Sequence, residues 1–197
     1  MMEMDMIIQL AKENNGTVTS AMVTEAGISR ASLKHLTDKG RLERTGRGVY
    51  VLPNIFEDEI FTLQSRFKRG VFSCETALFL WDLTDRTPNC YSMTFPHSYN
   101  PSGAKAQNIK CTVSVAELFE IGITEIKTPG QNLVRVYNKE RTLCDVLKKG
   151  SKIDVQITTE AFKRYAKLPD KNIALLSEYS KIFKVSDKVR AYMEVLL

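Results

Sequence analysis

The sequence predicts an α+β chain in two domains, on three observations. Its 197 residues allow a small domain joined to a medium one and leave no room for a third. The first quarter changes from helical to strand periodicity, and a second series of helices, strands and helices follows it. The composition, 43% hydrophobic and 26% charged with 10 Gly and 6 Pro, suits a packed core and excludes collagen-like and wholly disordered chains. No run of about 18 apolar residues occurs. Met1-Met2-Glu3-Met4-Asp5 carries acids where a secretory leader carries bases, so a cytoplasmic protein with no membrane partner is expected.

Met4, Ile7, Ile8, Leu10 and Ala11 recur at helical spacing, and Asn14-Asn15-Gly16 supplies a stop. Thr17 or Thr19 can cap a short second helix carrying Met22, Val23 and Ala26, and Gly27 suits the tight turn after it. Ser29 is placed to cap a third helix over residues 30–39, with Ile28 and Leu33 as its hydrophobic staple and Gly40 as its end. The period then becomes two. Arg41–Arg44, a Thr45-Gly46-Arg47-Gly48 turn and Val49–Leu52 read as a β-hairpin closed by Pro53. Two helices, a glycine turn, a helix and a hairpin within about 53 residues are the order of a winged helix-turn-helix, with Met22, Ala26, Ile28, Leu33 and Leu36 as its core.

The expected boundary is therefore Pro53-Asn54, giving a domain over 1–54 and a second over 55–197. In the second, Glu57–Phe67 reads as an amphipathic helix, and Ser73 caps a buried helix through Leu83. Strands are expected at Tyr91–Phe95, Lys110–Val115 and Leu133–Tyr137. The remainder reads as a helical block, from Lys139 through segments near Thr158–Ala166, Asn172–Phe183 and Asp187–Leu196. The second domain is thus a mixed α/β domain ending in helices.

Charge points to the partner. The whole chain carries +5, and residues 28–52 hold six bases (Arg30, Lys34, Lys39, Arg41, Arg44, Arg47) against Asp38 and Glu43. At 100° per residue, Leu33 and Leu36 define the buried side of the third helix. Ala31, Lys34, His35 and Asp38 then face outward with Arg30 beside them. Arg30 and Lys34 have the donors to read guanine edges, and Ser29 and Ser32 the length to reach phosphates. Arg44 and Arg47 flank the glycines of the hairpin tip, where backbone can approach a phosphate ridge or a narrow groove. The DNA-binding candidates are therefore Ser29, Arg30, Ser32, Lys34, His35, Arg44 and Arg47.

Catalytic signals are thin. With two histidines, His35 and His97, no histidine-rich metal cluster can form, and no cofactor is expected. Cys74, Cys90, Cys111 and Cys144 form no C-x-x-C pair and read as reduced structural thiols. Glu57-Asp58-Glu59 reads as helix N-terminal charge, and Arg141 with Asp145 as an i, i+4 ion pair.

Three stretches resemble the AbiEi family of antitoxins from bacterial abortive-infection systems. They are Arg69–Leu78 with Leu83–Pro88, Arg135–Asp145, and the wing Gly46-Arg47-Gly48-Val49-Tyr50. Where the family often has a histidine near the end of the alanine-leucine helix, this chain has Trp81-Asp82. The resemblance implies a type IV toxin-antitoxin protein of phage resistance. It implies a winged-helix repressor of its own operon acting on inverted repeats in double-stranded promoter DNA. It implies a C-terminal domain that counters a nucleotidyltransferase-like toxin without needing a stable complex. A ligand-sensing winged-helix regulator, and an enzyme acting on the toxin or its substrate, are the alternatives.

Overall fold

The computed structural model describes residues 2–196; Met1 and Leu197, the outer ends of the two expected domains, lie outside the described residues. The fold is mixed α+β and begins with a winged helix. The chain forms two compact units. One runs to Lys68 and includes Lys127–Val134; the other is made of Arg69–Ile126 and the chain from Arg135 on.

In the first unit, α1 (Met2–Glu13) buries Ile7 and Ala11 and stops where Asn15 and Gly16 take φ of 54° and 80°. Thr17–Thr19, expected only to cap a helix, instead form strand β1. Three residues are too few to show a period, and the strand exists because Thr17 and Val18 pair with Val51 and Tyr50 far along the chain. Thr19 does cap α2 (Ser20–Glu25), its hydroxyl accepting from the Met22 N–H at 3.2 Å. Ala26, expected in the core, is exposed, because the helix has already ended and the Gly27 turn carries it to solvent.

Helix α3 (Ala31–Asp38) starts one residue later than expected, with Arg30 helical in φ and ψ at its N-cap. Ser29 still serves that end, its Oγ accepting from the Ala31 N–H at 3.3 Å. After Lys39, the Gly40 and Arg41 N–H groups return to the carbonyls of Thr37 and Leu36, the closed C-terminal turn that a left-handed residue permits. Ile7, Val18, Val23, Ile28, Leu33 and Leu36 are among the buried core residues.

The hairpin is β2 (Glu43–Gly46) and β3 (Val49–Val51). Its turn is tighter than expected. Thr45 and Gly46 stay in the strand, a register shift between Arg44 and Gly46 makes a bulge, and only Arg47 and Gly48 turn. Gly48 takes φ of 76°, a left-handed value that glycine adopts without steric cost. β3 lies between β1 and β2 in an antiparallel sheet. Helix α4 (Glu59–Arg66) follows. Asp58 caps it, accepting from the Phe61 N–H at 3.0 Å, and the same carboxylate accepts from the Thr128 hydroxyl and, at 2.9 Å, the Asn132 amide. One acid thus starts a helix and ties down the turn at 127–134.

The second unit contains β4 (Val71–Phe72), α5 (Cys74–Leu80), β5 (Ser92–Pro96), α6 (Ser102–Lys105), β6 (Lys110–Ser114) and α7 (Ala116–Phe119). Then come β7 (Ile123–Lys127) and β8 (Leu133–Tyr137), all but Lys127, Leu133 and Val134 in this unit, and α8 (Lys139–Leu147), α9 (Val155–Lys167), α10 (Ile173–Ile182) and α11 (Ser186–Leu196). The mixed sheet runs β6-β5-β4-β8-β7, with β4 parallel to β8 and antiparallel to β5. Strands β4 and β7 were not expected. β4 is two residues long, and β7 alternates too weakly to stand out from the loops beside it.

Helix α5 ends at Leu80 rather than Leu83, since Asp82 at φ of 55° turns the chain and the Leu83 N–H returns to the Leu78 carbonyl. Ser73 begins it without capping by its side chain, which instead accepts from the Thr94 hydroxyl at 2.9 Å. The helical block forms around α8, where every residue from Glu140 to Leu147 is buried and Leu143, Cys144, Val146 and Leu147 share a core with Leu78, Phe162, Tyr165 and Leu176.

Candidate nucleic-acid interface

Helix α3 and the wing present the cationic groups of the first unit. Leu33 and Leu36 are 1% and 0% exposed, so the helix is pinned by one side. Arg30, Ala31, Lys34, His35 and Asp38 are exposed on the other. Arg30 is braced across the turn, its Nε donating to the Thr24 hydroxyl at 2.8 Å, which leaves the remaining guanidinium donors free for a partner. Ser29 is exposed at the start of α3. Ser32 is half-buried, and its hydroxyl donates to the Glu3 carboxylate at 3.3 Å. Glu3 thus lies beside Ala31, Ser32 and His35 around a shallow depression, an acid that, like Asp38 on the same helix, repels phosphate.

Arg44 and Arg47 are both exposed on the hairpin. Arg44 folds back so that its Nε donates to the Gly46 carbonyl at 3.2 Å, which stiffens the bulge; Arg47 occupies the turn itself. Arg41 is drawn off toward Asp5 at 3.5 Å, in a pair too exposed to contribute much stability.

A second site escaped the sequence reading. The second unit holds a cavity of about 990 Å³, walled by the start of α5, strands β5 and β6, the end of α8, residues 149–153 and the end of α10. Its signal in the sequence was the run Lys148-Lys149-Gly150-Ser151-Lys152, whose lysines face one space only because α8 ends at this cavity. The buried polar anchor of that end is Arg141, 1% exposed. Its Nε donates to Asp145 at 2.9 Å, and its Nη1 donates to the Leu118 and Ile121 carbonyls at 2.6 and 3.0 Å. The guanidinium lies over the rings of Tyr137 and Phe183. The i, i+4 pair is therefore structural, and Lys148 closes on the same carboxylate at 2.5 Å.

Cys74 borders this cavity at the turn from β4 into α5, with φ of 51°. A residue in that strained conformation between strand and helix is a position that nucleophiles occupy. The thiol is not activated. Burial, then the charge of Asp145, push it up to about 12, and neither histidine borders the cavity to take its proton. Burial likewise pushes Cys144 up to about 12, and all four cysteines are free. Among the described residues, no three His, Cys, Asp or Glu side chains gather as a metal site would require. None of the described helices is long and apolar enough to cross a membrane.

Within the first unit, helices α1 to α3, the three-stranded sheet and the arginine-bearing wing make a winged helix-turn-helix, the class of small domain that sets its third helix in a duplex groove. Residues 5–53 match the family model described as "Transcriptional regulator, AbiEi antitoxin". Over those residues the resemblance read from the sequence holds, while the stretches at 69–88 and 135–145 lie outside the match. No curated protein matches the chain. Among solved structures, the crystal structure of the RV2827C protein from Mycobacterium tuberculosis has a similar fold. Its TM-score is 0.55 at 14% identity, covering 96% of this chain and 79% of that one.

Proposed function

We propose that this chain is an antitoxin that represses its own operon. Residues 1–54 bind double-stranded promoter DNA at inverted repeats, and residues 55–197 counter a nucleotidyltransferase-like toxin. The observation that carries the reading is the family match over the winged helix, joined to the free cationic face of α3 and the wing. In this reading Arg30 and Lys34 read base edges, with His35 beside them. Ser29, Ser32, Arg44 and Arg47 hold phosphates and set the register. Neutralisation uses other surfaces, as a type IV pair without a stable complex would allow, and the protein works in the cytoplasm without a cofactor or catalysis of its own.

The test uses the full chain in both arms. It should shift a duplex from its own promoter and, when co-expressed, rescue cells from the product of the neighbouring reading frame. Arg30→Ala, Lys34→Ala and Arg47→Ala combined should abolish the shift and leave rescue intact. If that variant, still folded, no longer rescues, the winged helix takes part in neutralisation and the division of labour is wrong.

The cavity favours a second reading, in which the second unit senses a ligand and the winged helix reports it. A promoter shift that responds to a small molecule, with no toxin to rescue from, would select that reading.

A further inference from the structure

We propose that the cavity of the second unit binds a nucleoside phosphate, free or at the end of a nucleic-acid strand, with Lys149, Lys152 and Lys184 holding the phosphates. The inference goes beyond the antitoxin reading and does not depend on it.

The first argument is uncompensated charge. Six cations border the cavity (Lys110, Arg141, Lys148, Lys149, Lys152, Lys184) against two acids, Glu75 and Asp145, so the balance is 6 − 2 = +4. Both acids are already engaged. Glu75 holds Lys110 at 3.2 Å, and its hydrogen bond and charge raise that lysine above its usual value although burial works the other way. Asp145 is shared by Arg141 and Lys148. Among the described residues nothing pairs with the ammonium groups of Lys149, Lys152 and Lys184, which come from two separate segments, the loop after α8 and the turn after α10. These three lysines are exposed residues that border the same cavity, where their like charges repel each other and a bound polyanion relieves that repulsion.

The second argument is what lies behind the charges. Leu118, Ile153, Ile182 and Phe183 give the cavity an apolar side, while Thr112, Ser114 and Ser151 supply hydroxyls. A bare inorganic anion has no use for the apolar side. A fatty acid carries one charge where three free ammonium groups wait. A heterocycle on a sugar with phosphates matches all three features, and about 990 Å³ lies within the range of ligand pockets, roughly 300–1,000 Å³. Lysine binds phosphate as a point charge.

The experiment is calorimetric titration of the full-length protein at low salt. The titrants are the four common ribonucleoside triphosphates, the nucleosides, inorganic triphosphate, and a short single-stranded RNA with a terminal phosphate. The expected result is saturable one-site binding of a nucleotide, tighter than inorganic triphosphate and weakened by salt. Two folded variants should each weaken it about tenfold or more. Lys149→Ala/Lys152→Ala/Lys184→Ala removes the phosphate ligands, and Ser151→Trp sets a bulky ring at the border of the cavity without changing charge. RNA binding with the same dependence, without free nucleotide, assigns the site to a strand end. The proposal fails if neither titrant binds, if inorganic triphosphate binds as tightly as the nucleotide, or if either variant, folded by circular dichroism, binds as the parent does. Nucleic acid held by the winged helix would be untouched by both variants and so counts against it. Rescue and promoter binding play no part in these readouts, so the two readings succeed or fail separately.

Discussion

Replacing Asp145 by alanine should destabilise the second unit by about 3–5 kcal/mol, the cost of leaving a buried charge without its partner. Arg141 is 1% exposed and Asp145 is 7% exposed, so the guanidinium has little contact with water to offset the lost carboxylate. Arg141 would keep the Leu118 and Ile121 carbonyls and its two ring faces, but Nε would have no acceptor and the positive charge no counter-ion. The companion pair to Lys148, whose side chain is 35% exposed, adds only about 0.5–1 kcal/mol after solvent screening.

Asp145→Asn keeps an oxygen for Nε and loses only the charge, so its cost should be nearer 1–2 kcal/mol, roughly the difference between a charge-assisted and a neutral hydrogen bond. The double change Arg141→Met with Asp145→Leu should recover part of the alanine loss. Recovery stays incomplete because the two carbonyls lose their donor. The assay is urea unfolding followed by the fluorescence of Trp81, the only tryptophan in the chain, whose indole donates to the Tyr137 carbonyl at 2.7 Å within this unit. At a slope of about 2 kcal/mol per molar urea, the alanine variant's midpoint should fall by roughly 1.5–2.5 M. An alanine variant within about 1 kcal/mol of the parent, or no less stable than the asparagine variant, would refute the claim that the carboxylate compensates a desolvated charge.

Binding of the promoter duplex should weaken with salt at a log-log slope of roughly −4 to −5, as four to six phosphate contacts require; a flat dependence would remove the wing and α3 as phosphate ligands. Arg30→Ala or Lys34→Ala should each cost about 1–3 kcal/mol and relax sequence preference, whereas Arg47→Ala should weaken all duplexes evenly; the reverse pattern in competition assays would exchange the roles of helix and wing. Cys74 and Cys144, pushed up to about 12 from 9.0 in both cases, should resist disulfide reagents near neutral pH. Their folded values lie above the unfolded one, so the stability held by the neutral thiols is intact below about pH 9 and is lost as pH rises toward 12. Urea midpoints that hold steady through that window would contradict the burial of these thiols. Gly122→Ala should destabilise by more than about 1 kcal/mol, because the residue sits at φ of 77° and a new Cβ would lie 2.9 Å from the Arg141 Cβ; an unchanged midpoint would mean the loop relaxes freely.

Much of the first unit is decided by neighbours in sequence. Leu33 and Leu36 recur at helical spacing beside charges, Gly40 can adopt the left-handed turn that ends α3, and the glycines of Thr45-Gly46-Arg47-Gly48 mark a hairpin turn. Each is a property of a few adjacent residues, so α3 and the wing were legible, and with them the free cationic face. β1 was not, since Thr17-Val18-Thr19 becomes a strand only by pairing with Val49, Tyr50 and Val51, far along the chain. Ala26 looked like core because a helical count that ran on past Glu25 would have placed it inward.

In the second unit the balance tips toward tertiary structure. The strand β8 and the helices of the terminal block follow from alternation and amphipathic spacing. Their order in the sheet, β6-β5-β4-β8-β7, depends on which strands find each other through loops that carry no pairing signal. The cavity depends on it still more. Lys149 and Lys152 in one loop and Lys184 after another helix are ordinary solvated lysines in the sequence, and charge alone gave no reason to join them. Chain composition and local periodicity determined that this protein has a winged helix with a basic face, because backbone propensity and side-chain spacing act over a few residues. Which lysines share one space was decided by packing, because electrostatic potential depends on distance through space and takes no account of separation along the chain.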